Sequence, residues 1–78
     1  KILSETISVQ TVESEIAKSL EEAQNQFKNV EIGSYPFFRL GKIGVSIVIR
    51  STEKKQIDDC YKQIVSFLKK KEIHIIER

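Results

Sequence analysis

The chain contains no methionine and no tryptophan, and only one cysteine, one histidine and one proline: Cys60, His74 and Pro36. A single cysteine excludes an internal disulfide and any zinc site built from several thiolates, and it fits a reducing, cytoplasmic setting. A single histidine leaves little from which to build a nucleophile, a base and an orienting group. No apolar run approaches the ~18–20 residues that a membrane-spanning helix requires. No signal-peptide pattern opens the chain, so no membrane partner is expected. The motifs GxxxxGK[ST], GxGxxG and HExxH are absent. The lack of methionine in so short a chain leads to the expectation that residues 1–78 are a single accessory domain excised from a larger protein.

What is present suffices for one domain. The 78 residues are 40% hydrophobic, with isoleucine abundant, and 31% charged. A domain of this size buries roughly 60–65% of its surface, so its stability depends on a well-packed core. The net charge of +2 is too small to argue for a nucleic-acid partner, and none is expected.

The periodicity changes along the chain. Ile2 to Gln10 predicts a strand, with Leu3, Ile7 and Val9 on one parity and Thr6, Ser8 and Gln10 on the other. Val12, Ile16, Leu20, Ala23 and Phe27 then form a helical stripe, with Thr11 placed to cap it and Asn29 suited to a left-handed end. Val30 to Tyr35 predicts a second strand, and Pro36 to Lys42 a loop. Ile43 to Arg50 alternates as a half-buried central strand. Ser51, Thr52 and Glu53 open a second helix whose stripe is Ile57, Cys60, Tyr61, Ile64, Phe67 and Leu68. Lys69, Lys70 and Lys71 sit where positive charge favours the helix dipole. Glu72 to Ile76 predicts the last strand.

The order β-α-β-β-α-β predicts an α+β, ferredoxin-like two-layer sandwich. One antiparallel four-stranded sheet carries both helices on one face. The expected core includes Ile7, Val9, Ile16, Leu20, Phe27, Val30, Ile32, Val45, Ile47, Ile49, Ile64, Phe67 and Leu68.

Candidate chemistry is thin. His74 reads as an edge or surface residue, and Cys60 as a buried inert thiol. Asp58 and Asp59 are adjacent on a helix, about 100° apart, and poorly placed to converge on a metal. Glu13, Glu15, Glu21 and Glu22 read as a solvated face. No catalytic residue, metal or cofactor is therefore assigned to this chain. Gly41-Lys42-Ile43-Gly44 matches the GxxG of KH domains, but that loop joins two helices and here it leads into a strand. An RRM stacks bases on aromatics of its first and third strands. The outward positions here (Thr6, Ser8 and Gln10; Gly44, Ser46, Val48 and Arg50) carry none. An ACT-like regulatory module usually has a glycine at the first strand–helix turn, where this chain has Gln10-Thr11-Val12. These three remain the alternatives on this topology.

The least ordinary stretch is Gly33-Ser34-Tyr35-Pro36-Phe37-Phe38-Arg39. Three aromatics beside an arginine have the composition of an interface hot spot. The alternative is a core lid, with Phe37 or Phe38 folded over the edge between helix and sheet. Docking against another domain or a second copy of the chain is the functional expectation.

The segment VEIGSYPFFRLGKIGVSIVIRS, preceded by VESEIAKSLEEAQNQF, resembles the part that follows the molybdopterin-binding-like domain in the CinA (competence/damage-inducible protein A) family. It is similar also to the corresponding part of eukaryotic FAD synthases. The block from Glu13 to Ser51 carries the likeness. The resemblance implies a parent MoaB/MogA-like domain in the same polypeptide, with metal-dependent pyrophosphatase action on dinucleotides such as ADP-ribose or FAD. The glycine-rich and acidic motifs of that domain are not in this chain. Gly33, Ser34, Tyr35 and Pro36 are the positions matching the shared motif, and this chain is expected to be the non-catalytic partner.

Overall fold

Alternation in the third strand sets the architecture. Val45, Ile47 and Ile49 are buried on one face, while Ser46 and Val48 lie half-buried on the other. In the computed structural model, which describes residues 1–77, this strand is β3 (Lys42–Ser51). It follows β1 (Leu3–Gln10), α1 (Glu13–Gln26) and β2 (Glu31–Arg39), and precedes α2 (Lys54–Lys70) and β4 (His74–Glu77). The sheet order is β2-β3-β1-β4, and every neighbouring pair is antiparallel. This is the expected α+β ferredoxin-like sandwich, with helices on the Ile47 face and the Ser46 face uncovered.

The core is drawn from both layers. Ile7, Val9, Val45, Ile47 and Ile49 meet Ile16, Leu20 and Ala23 of α1 and Ile57, Cys60, Ile64 and Leu68 of α2. Val65 is buried too, although it lies beside the predicted stripe. Phe27, Ile32 and Phe67, expected in the core, are half-buried residues packed against it.

Several local expectations fail for identifiable reasons. Thr11 does not cap α1: Val12 occupies the N-cap with no side-chain hydrogen bond. Asn29 is not left-handed either; the positive-φ residues are Leu40, Gly41 and Glu72. Gln24 organises the end of α1 instead. Its amide donates to the Val30 carbonyl and accepts from the Ile32 N–H at 2.9 Å, imitating a strand neighbour. Neither Ser51 nor Thr52 caps α2, whose N-cap is Glu53 without a side-chain bond. Ser51 is the last residue of β3. Its hydroxyl accepts from the Glu53 N–H at 3.0 Å and donates to the Asn29 carbonyl at 2.7 Å, tying two connections together.

The largest revision concerns residues 36–42. They form no loop: β2 continues through Pro36 to Arg39, and a two-residue turn at Leu40-Gly41 leads directly into β3. Proline is tolerated because β2 is an edge strand. The Ile32 N–H faces outward to Gln24, and Pro36 shares its parity, so the missing N–H lies on the outer edge and breaks no ladder bond. The register runs unbroken from Glu31↔Arg50 to Arg39↔Lys42.

Candidate functional site

The aromatic stretch is the second half of β2, so its side chains alternate between the two faces of the sheet. Gly33, Tyr35, Phe37 and Arg39 share the uncovered face with Lys42, Gly44, Ser46 and Val48 of β3. Ser34, Pro36 and Phe38 share the helix-side parity with Ile47, Val45 and Ile43. Ser34 is tied down, since its hydroxyl donates to the Glu13 carboxylate of α1. Neither Phe37 nor Phe38 lids the core. Phe37 is on the face opposite the helices, and Phe38 is exposed near the hairpin end.

Two glycines seat the aromatics of the uncovered face. A Cβ at Gly33 would lie 3.0 Å from the Tyr35 hydroxyl, so the tyrosine ring folds back over its own strand. A Cβ at Gly44 would lie 2.4 Å from Phe37 Cζ, so the phenylalanine ring crosses β3 at a position that only glycine provides. Arg39 completes the stack, with its guanidinium carbon 4.6 Å from the Phe37 ring centroid. Beside these rings Ser8 is buried and shares a 3.1 Å hydrogen bond with Ser46. The first and third strands lack an outward aromatic, as expected, but the edge strand supplies two.

The hairpin outruns the rest of the sheet. Pairing between β1 and β3 starts at Val9↔Val45, whereas pairing between β2 and β3 continues three positions further to Arg39↔Lys42. Exposed apolar groups gather there: Leu40 is 100% exposed, Phe38 69%, Ile43 53% and Tyr35 51%. Phe38 and Ile43 are direct cross-strand partners. The turn is costly in itself, because Leu40 takes φ 52° and Gly41 φ 76°. Two successive positive φ values match the type I′ hairpin turn, which favours Asn-Gly. A leucine there bears a left-handed penalty of roughly 1 kcal/mol or more.

Leu40, Ile43 and Gly44 lie outside the stretch that composition singles out. A two-residue X-Gly link between alternating segments is the local sign of such a hairpin. A glycine inside a strand is the sign of a close approach. Gly41, Lys42, Ile43 and Gly44 lie in the hairpin turn and the start of β3, not between helices.

Asp58, Asp59, His74 and Cys60 lie away from the hairpin tip. Asp58 and Asp59 are engaged at 3.1 Å by Lys54 and Lys55 on the same helix. His74 is exposed at the start of edge strand β4. Among the described residues no three His, Cys, Asp or Glu side chains gather as metal ligands, and no helix is long and apolar enough to cross a membrane. Cys60 is fully buried, and desolvation pushes its thiol from 9.0 up to about 11. Because folding raises this pKa, the associated stability is complete below about pH 9 and is lost as pH rises through about 11. The alkaline loss should therefore be smaller in Cys60→Ala, by up to about 1.4 kcal/mol per pH unit, when urea denaturation is followed against pH.

The sequence model of the FAD synthase middle-domain family matches residues 1–77. No curated protein matches the chain.

Proposed function

We propose that this chain, which belongs to the FAD synthase middle-domain family, is a non-catalytic interaction domain that docks the tip of its β2–β3 hairpin against a neighbouring domain of the same polypeptide. Leu40 carries this reading. It is wholly exposed and held in a left-handed conformation, two conditions unfavourable to a leucine. Backbone strain of this kind concentrates at functional surfaces. Phe38 and Ile43 extend the apolar tip, and Tyr35 and Phe37 continue it onto the uncovered sheet face. The likeness of the Glu13–Ser51 block to the CinA family supports a further part of the proposal. The neighbour is then a MoaB/MogA-like domain, and metal-dependent pyrophosphatase chemistry on a dinucleotide belongs to it.

Leu40→Asn separates docking from folding. Asparagine suits the left-handed turn, so the isolated chain should gain about 0.5–1 kcal/mol in thermal or urea denaturation. In a polypeptide carrying both domains, the same variant should release the hairpin, read as faster hydrogen exchange at residues 38–43. Unchanged exchange in that variant would refute the docking role.

A further inference from the structure

Resting on the docking role just proposed, we infer that the hairpin is received by an apolar protein surface rimmed with carboxylates. The observation is a contrast between the two ends of one hairpin. At the inner end, Glu31 and Arg50 are cross-strand partners of opposite sign, joined by an ion pair at 3.7 Å. At the outer end, the directly opposed residues are Arg39 and Lys42. Like charges in that position repel and weaken a hairpin. No acidic residue occurs between Tyr35 and Gly44 to relieve them. Arg39 and Lys42 line a cleft of about 380 Å³ with Phe37, Leu40, Ile76 and Glu77, but among the described residues Glu77 forms no ion pair with either cation. The two cations flank the exposed Leu40-Gly41 turn, so an occupant of the apolar tip must also face both charges.

The chemistry around them selects carboxylates on a protein. Arg39 offers a planar fork suited to a carboxylate, and its guanidinium stacks on the Phe37 ring. Phosphate on a nucleic acid would satisfy the charge. Phe38 and Tyr35 offer rings on which bases can stack, but Leu40 and Ile43, the groups at the turn and next to it, are aliphatic and give bases nothing to stack upon. A protein surface uses both halves of the site, burying the aliphatic tip centrally and placing the charges at the rim. A second copy of this chain is the other acidic candidate, through the exposed Glu13, Glu15, Glu21 and Glu22 of α1.

The experiment is hydrogen exchange at residues 38–43 in the polypeptide that carries this domain and its neighbour, with the 78-residue chain as reference. Protection in the longer polypeptide should fall when salt rises from about 50 mM to about 500 mM. It should also fall by at least about tenfold in the double variant Arg39→Gln, Lys42→Gln. If Leu40→Asn releases the hairpin while neither salt nor the double variant does, docking stands and the carboxylate rim is overturned. If none of the three has an effect, both readings fall. Protection that rises with protein concentration in the 78-residue chain identifies a second copy and overturns the neighbour as occupant. Stronger protection of the hairpin by a single-stranded oligothymidylate overturns the protein partner altogether.

Discussion

Ile47→Ala should destabilise the domain by about 2–4 kcal/mol, read as a lowered urea midpoint with an unchanged slope. Ile47 is fully buried, and its strand neighbours on either side are Ile7 and Ser34. β3 is central, flanked by β1 and β2, and α2 packs over it. A cavity at this point lies under α2 and between two paired strands, with little freedom to collapse. Val48→Ala provides the internal control. Val48 is the next residue on the same strand but faces the uncovered side, half-buried, so its truncation should cost clearly less. Equal losses at the two positions would mean that the sheet buries both faces in solution.

Gly44→Ala should also be costly, at about 2–3 kcal/mol, for the opposite physical reason: added volume. The new methyl would fall 2.4 and 2.7 Å from two atoms of the Phe37 ring and 2.8 Å from the Val9 carbonyl oxygen. The ring can swing away, at the expense of the surface it covers and of its stack with Arg39. The carbonyl belongs to a strand paired on both sides and cannot. Gly33→Ala is the matched comparison. There the close atoms all belong to the exposed Tyr35 side chain, the nearest being its hydroxyl at 3.0 Å, and that ring is free to rotate. The expected result is a large loss at Gly44 and a small one at Gly33, measured by chemical denaturation. Combining Gly44→Ala with Phe37→Ala should recover part of the loss, because the ring clash is then gone while the backbone clash remains. Full additivity would show that Phe37 does not rest on Gly44.

The sequence made the strand and helix order legible because periodicity survives in every element that has a buried face. Val45, Ile47 and Ile49 could be assigned to the core from alternation alone, and Ile16, Leu20 and Ala23 from helical spacing. Connections were less legible, because capping is decided by geometry that composition does not carry. Thr11 and Asn29 have suitable side chains yet do not serve, whereas Gln24, inside a helix, reaches across to hold Val30 and Ile32. Composition marks the aromatic segment as unusual, but Pro36 and Gly41, both strong punctuators, predict a loop over residues 36–42. Position in the sheet overrode that reading: an edge strand accommodates Pro36 where a central strand would not. The apolar tip at Leu40 and Ile43 is visible only once the hairpin register is known.

The outer margin of β2 has a consequence for how this domain can be recognised. An aromatic-rich border strand is ordinarily a template for fibril-like stacking and for capture of extended peptides through backbone pairing. Here the template is obstructed in two places. Gln24 occupies the Val30 carbonyl and the Ile32 N–H, and Pro36 has no proton to offer. Side chains of the strand stay accessible while its main-chain template is interrupted at Val30, Ile32 and Pro36. Recognition through this strand is thereby biased toward shape and charge, a filter that weakens indiscriminate recruitment of strands to an adhesive surface in a crowded solution.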